Sequence, residues 1–159
     1  MSSHIAFRTA TLLGREPRPA DAPVYARLFG RTGSTELARN LQDFERHRIA
    51  PWTLEMSGRD IGVGGFRLGF GHTDGMELCI SILPDGLPIG LAGEFLKSAL
   101  AFARDSLRAD RIFTLVDENT TLTKRMLEAQ DFEAGGSAPR PGRPDLTLMC
   151  WRPPSQAPG

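Results

Sequence analysis

The chain has 159 residues, of which 40% are hydrophobic, 24% charged and 8% aromatic, enough apolar material for one domain with a substantial core. That composition excludes a disordered chain, a collagen-like repeat and a disulfide-stapled miniprotein. Nineteen Lys and Arg balance nineteen Asp and Glu, so the overall charge favours neither nucleic acid nor an anionic membrane as partner.

In chain order, His4 to Leu13 mixes β-formers with alternating Ile5, Phe7 and Thr9 and predicts a strand. Arg15 to Ala20 is proline-rich and turns the chain, after which Asp21 is placed to cap a short helix carrying Val24, Tyr25, Leu28 and Phe29. Gly30 and Gly33 end it. Ser34 or Thr35 is then placed to cap a second helix, with Leu37, Leu41 and Phe44 on one face. From Trp52 the period becomes that of strands: Trp52 to Met56, Ile61 to Phe70 and Met76 to Leu83, joined as an antiparallel meander by Ser57-Gly58 and the loop Gly71 to Gly75.

A break at Pro84-Asp85-Gly86 precedes the clearest helix, Gly90 to Leu107, whose stripe is Leu91, Phe95, Ala99 and Ala103. Arg111 to Val116 reads as a strand, Thr121 to Gln130 as a helix buried through Leu122 and Met126, and Phe132 to Gly136 with Leu146 to Trp151 as a last pair of strands. Residues 139 to 144 contain three prolines and predict a loop, and 153–159 a disordered tail. The fold class is therefore α+β, a mixed, mostly antiparallel sheet of six to seven strands with four helices, in the order β-α-α-β-β-β-α-β-α-β-β. A single domain spans 1–152. The helix between 76–83 and 111–116 implies a right-handed crossover, which makes those two strands parallel.

Cys79 and Cys150 lie far apart, each inside an apolar run, and are expected to be reduced buried thiols. His4, His47 and His72 are scattered, so no metal site is expected. The N-terminus lacks the features of a signal peptide, and Glu94 and Lys97 interrupt the best apolar helix, so a soluble cytoplasmic protein is expected.

The segment Leu87-Pro88-Ile89-Gly90-Leu91-Ala92-Gly93 between a strand and the long helix could take pyrophosphate on its backbone N–H groups, or be a plain tight connection. Gly62-Val63-Gly64-Gly65 lies inside a strand pattern with no helix after it, so a dinucleotide-binding loop is disfavoured there.

Three stretches together carry a family resemblance: Glu77 to Leu83, the Gly90-Leu91-Ala92-Gly93-Glu94 turn, and Val116-Asp117-Glu118-Asn119 leading to Phe132. With them the chain resembles the GNAT superfamily of acyl-CoA-dependent N-acyltransferases, and within it the branch that includes ribosomal-protein N-terminal acetyltransferases, over residues 4 to 151. In the signature Arg/Gln-x-x-Gly-x-Gly/Ala, Gly90 and Ala92 match and Leu87 stands in place of Arg or Gln. Glu94 matches the branch's glutamate inside the helix, where it also suits the helix dipole.

The resemblance implies an N-acetyltransferase with acetyl-CoA as co-substrate and no metal. Amides of Ile89, Gly90, Leu91, Ala92 and Gly93 would hold the pyrophosphate, and the pantetheine arm would pair beside Ile80, Ile82 and Leu83 where strand 111–116 splays away. Asn119 would be the second cofactor contact, although counted back from Phe132 it sits one residue early and Thr123 falls where the family has Ser. Asp131 replaces the family's glycine before Phe132.

For catalysis, Glu77 would accept the amine proton, and a backbone N–H near Ile82 or Leu83 would stabilise the oxyanion. Leu127 stands where several relatives have an acidic tyrosine, and the single tyrosine, Tyr25, lies in the first helix. Tyr25, His47 and Ser81 are weaker candidates. The acceptor is a small-molecule or peptide amine entering over the helices of 21–47 and the loops at 71–75 and 136–145, and a homodimer is compatible with this reading. The competing reading is a non-catalytic acyl-CoA-binding or protein-interaction module of the same fold.

Overall fold

The computed structural model describes residues 5–68, 75–84 and 87–154. The expected features at His4, Gly69-Phe70, residues 71–74 with His72, Asp85-Gly86 and the tail from residue 155 lie outside the described residues. One eight-stranded sheet runs through the molecule in the order β1-β2-β3-β4-β5-β6-β8-β7, with β1 Ile5–Arg8, β2 Leu13–Arg15, β3 Trp52–Met56, β4 Arg59–Arg67, β5 Met76–Ile82, β6 Ile112–Val116, β7 Glu133–Arg140 and β8 Arg143–Trp151. The helices are α1 Ala22–Phe29, α2 Gly33–His47, α3 Leu91–Asp105 and α4 Lys124–Ala129. All neighbouring strands are antiparallel except β5 and β6, which are parallel across the α3 crossover as expected.

The sheet is covered on both faces. Alternation along β5 sends Met76, Leu78, Ile80 and Ile82 into the main core, where α3 contributes Leu91, Phe95, Leu96, Ala99, Leu100 and Ala103. Phe7 stacks on Trp52 at 4.6 Å, and Phe95 and Phe102 close around them. Glycine in the middle of β4 follows from this packing, because a Cβ on Gly64 would come within 3.0 Å of the Phe95 ring. On the opposite face a smaller cluster, Val24, Tyr25, Leu37, Val63 and Leu83, seats α1 and α2.

Four local expectations are corrected. The first strand is two, because the Thr9 hydroxyl accepts the N–H groups of Thr11 and Leu12 and folds the chain into a turn between β1 and β2, raising the count to eight strands. Asp21 precedes α1 without capping it, since its carboxylate is taken by the Arg18 N–H, the Thr53 hydroxyl and Arg15. α2 begins at Gly33, ahead of Ser34 and Thr35, and has no side-chain cap. The proline-containing stretch 139 to 144 is strand on both sides of a Pro141-Gly142 tip. Its prolines are tolerated because β7 is an edge strand and β8 meets β6 only from Thr147 onward.

Candidate active site

Parallel pairing of β5 with β6 covers only two residue pairs, Met76 with Ile112 and Glu77 with Phe113. Beyond them the strands part and a cavity of about 160 Å³ opens, lined by Glu77, Ile80, Thr114, Val116 and Thr120 among others. The backbone facing it follows from the ladders. Leu83 donates its N–H to the Ile61 carbonyl at 2.8 Å, and Met76 donates to the Arg111 carbonyl at 3.1 Å. Alternation therefore turns the N–H and C=O of Ile80 and Ile82 away from β4 and toward the opening. Of the two expected oxyanion donors, Leu83 is corrected by this: its N–H is already engaged, which leaves Ile82.

At the C-terminal end of β5 the chain turns through Leu87 to Gly90 into α3. Gly90, the residue before the helix, has φ 90°, a left-handed conformation that glycine adopts without strain. The N–H groups of Ala92 and Gly93, in the first turn, have no backbone partner among the described residues, whereas Leu91 and Glu94 donate to Pro88 and Gly90. Ile89 is fully exposed at the tip, and Leu87 turns its side chain onto the main core. Glu94 accepts the hydroxyls of Thr9 at 2.5 Å and Thr11 at 2.9 Å, so it ties α3 to the β1–β2 turn as well as facing the helix dipole.

α4 flanks the same turn. The Met126 methyl lies 4.0 Å from where a Cβ on Gly93 would sit. Thr123 caps α4, its hydroxyl accepting the Met126 N–H at 3.2 Å. Asn119 is exposed in the preceding turn and makes no side-chain hydrogen bond among the described residues; its N–H donates to Asp117, which also pairs with Arg140 at 3.2 Å. Asp131 has φ 68°, a left-handed backbone that Asp tolerates better than most non-glycine residues.

The other face of β5 carries Glu77, Cys79 and Ser81 toward α2. Glu77 is half-buried and sits beside its cross-strand partner Arg67. Burial raises the Glu77 carboxyl above its ordinary range, Arg67 opposes the rise, and Glu36 adds to it. Burial pushes the Cys79 thiol up to about 12, which leaves it protonated at neutral pH and unsuited to form an acyl-enzyme. Tyr25 is fully buried, its hydroxyl accepts the Asn40 side-chain N–H at 2.6 Å, and burial lifts it to about 12. Leu127 is fully buried in the main core.

Of the expected site residues, Glu77 and Ile80 line the cavity between β5 and β6, whereas Ile82, the 89–93 turn and α4 are not part of its lining. His47 stands apart at the end of α2, and Ser81 lies on the α2 side of β5. The sequence reading missed Arg67, Asn40 and Glu36, which face Glu77's side of the sheet. Their signal was in the register: placing Arg67 opposite Glu77 requires knowing where β4 pairs with β5. Among the described residues no three His, Cys, Asp or Glu side chains converge as a metal site, and no helix is long and apolar enough to cross a membrane.

The parted parallel strands within an antiparallel sheet, with a helix starting at the parting, are the fold of GNAT-family acetyltransferases, and solved structures of that family superpose on nearly the whole chain. A GNAT-family acetyltransferase of Bordetella pertussis aligns with a TM-score of 0.74 at 18% identity over 89% of this chain and 96% of that one. The ribosomal-protein-S5-alanine acetyltransferase of Vibrio fischeri aligns at 0.70 and 15% identity, covering 96% and 98%. The Salmonella typhimurium acetyltransferase yncA, solved with acetyl-CoA, aligns at 0.68 and 17% identity, covering 99% of each. No family model matches the sequence, and no curated protein matches it.

Proposed function

We propose that the chain is an acetyl-CoA-dependent N-acetyltransferase acting on a primary amine. The observation that carries this reading is the limit of β5–β6 pairing to two residue pairs, which leaves the inner edge of β5 free to pair with an extended ligand. Coenzyme A suits the edge of β5 and the turn that follows it: the amide-bearing edge at Ile80 and Ile82 matches the pantetheine arm, and the N–H groups of Ala92 and Gly93, without a backbone partner among the described residues, match its pyrophosphate. Ile89, Gly90 and Leu91 shape the turn, Asn119 offers from the α4 side an amide with no partner among the described residues, and Thr123 acts by capping α4. Leu87 contributes apolar support in place of the side-chain donor that the family signature has.

When bound, the acetyl thioester supplies an activated carbonyl whose oxygen gains negative charge as an amine attacks. The Ile82 N–H, fixed in the strand, would hold that oxygen without reorganising. Glu77, which lines the opening and whose carboxyl burial raises above its ordinary range, would take the proton lost from the attacking nitrogen. A nitrogen–carbon bond forms, the carbon–sulfur bond breaks, and the departing sulfur takes a proton from water, since Leu127 provides no acid. The protonated Cys79 thiol favours direct transfer over a covalent enzyme intermediate.

The test is release of thiol from acetyl-CoA against a panel of small amines and peptides, with calorimetric titration of coenzyme A. Turnover on at least one amine is the expected result. Binding without turnover would leave the non-catalytic module, which the apolar Leu87 and Leu127 favour. No binding would overturn both.

A further inference from the structure

A second cavity, of about 240 Å³, lies between α2 and the face of β4 and β5 that carries Glu77, and its lining includes Glu36, Arg39, Asn40, Arg67 and Ser81. Asn40 is 1% exposed, and both ends of its amide are used: it donates to the Tyr25 hydroxyl and accepts from Arg67 Nη2 at 2.9 Å. Arg67 is thereby held in one place, with Glu36 3.5 Å from the same Nη2. Its Nε is buried and has no hydrogen-bond partner among the described residues. The Nε of Arg111 is likewise buried without a partner among the described residues, so the unpaired Nε does not by itself mark a ligand site; what Arg67 offers a ligand is the part of its side chain that lines the cavity. Arg39 adds a second guanidinium, also 3.5 Å from Glu36, so two positive groups face one negative group around the cavity.

Resting on the acetyltransferase reading, we infer that the acceptor is a small amine that also bears a carboxylate, an amino-acid-like molecule, and that Arg67 binds that carboxylate. Arg67 and Glu77 are directly opposite on β4 and β5, where paired Cα atoms lie about 5.5 Å apart. A zwitterion with its two charges a few atoms apart suits this pair, its carboxylate on the part of the Arg67 and Arg39 side chains that lines the cavity and its amine toward Glu77, which lines the coenzyme slot. A polyamine or aminoglycoside would instead set its positive charges against Arg67 and Arg39. Asn40 is the positioning residue, acting through Arg67.

The experiment compares kcat/KM for α-, β- and γ-amino acids with the amide and the decarboxylated amine of each, using wild-type protein and Arg67→Gln and Arg67→Lys. Expected are a preference for the free carboxylate of about 30-fold or more, its loss in Arg67→Gln, and a partial loss in Arg67→Lys, which keeps the charge without the fork. Equal rates on amino acids and their amides would overturn the inference while leaving the transferase reading intact; this arm needs no variant. If no amine releases thiol, the transferase reading fails separately, and calorimetric titration of the amino acids decides the inference. Binding that Arg67→Gln abolishes, with coenzyme A affinity unchanged, sustains it; no binding, or binding that Arg67→Gln leaves intact, overturns it.

Discussion

Arg15 on β2 and Arg67 on β4 both bring a guanidinium into the protein from the same sheet, and they end in opposite states. Arg15 is 4% exposed and spends each nitrogen: Nε on Glu55 at 3.0 Å, Nη1 on Asp21 at 3.4 Å and Nη2 on Asp60 at 2.6 Å. Burial alone would lower its pKa, yet the hydrogen bonds to Asp60 and Glu55 outweigh that and hold it above its ordinary value. Arg67 spends Nη2 on Asn40 and Glu36 and leaves a buried Nε open. The first is a closed network that fastens β2 to β3, β4 and the turn before α1. The second leaves one donor unpaired among the described residues and lines a cavity, so a residue whose nitrogens are all spent on the fold stands beside one whose guanidinium borders open space.

The largest expected effect would test that contrast directly. Arg15→Met leaves Asp21 buried with its main cationic partner gone, at a cost of about 3 kcal/mol, or a fall in Tm of about 6–12 °C for a chain of this size. Arg67→Gln should cost about 1 kcal/mol or less, because it removes an unsatisfied donor along with one hydrogen bond. Urea unfolding and scanning calorimetry of the two variants supply the comparison. Similar losses would erase the distinction.

Next in size is Glu77→Gln, expected to lower kcat by about 100-fold through loss of the base. A base works ionised, so the wild-type rate should rise with pH through the raised Glu77 pKa, and that limb should vanish in the variant. Arg67→Gln removes the charge that opposes the rise, so the limb should move to higher pH. Linkage runs the other way for stability. The folded protein favours protonated Glu77, so its stabilising contribution is present below the unfolded pKa and lost as pH climbs through the folded one. Glu77→Gln should therefore be at least as stable as wild type at pH 7, and unfolding at pH 4 and pH 7 checks it.

What the sequence made legible follows from the range of the forces involved. The α3 stripe, β3 and the parallel β5–β6 pair could be read because burial imposes a local period and a crossover helix imposes direction. The splitting of the first strand depended on the Thr9 hydroxyl competing for backbone N–H groups, and the missing side-chain cap of α1 depended on Asp21 being drawn into the Arg15 network. Such outcomes are decided by partners distant in sequence. For the site, motif residues such as Gly90, Ala92 and Glu77 could be placed by resemblance. Arg67 could not, because nothing in Gly-Phe-Arg-Leu indicates that its neighbours across the sheet leave one nitrogen unpaired.

The smallest effect extends the same contrast to neutral side chains near the coenzyme turn. Thr123 and Asn119 compete for one role, and the hydroxyl of Thr123 is already spent on the Met126 N–H while the amide of Asn119 has no partner among the described residues. By the rule that distinguishes Arg15 from Arg67, we assign Thr123 to the fold and propose Asn119 for the ligand. Thr123→Ala should cost about 1 kcal/mol of stability through the lost cap and leave the coenzyme A Kd nearly unchanged. Asn119→Ala should leave stability within about 0.5 kcal/mol and raise that Kd by about 2- to 10-fold, the worth of one hydrogen bond. Calorimetric titration beside urea unfolding reads both quantities for each variant. The reversed pattern would mean that a satisfied polar group can still carry the ligand, and the assignment of Arg67 would lose its main support with it.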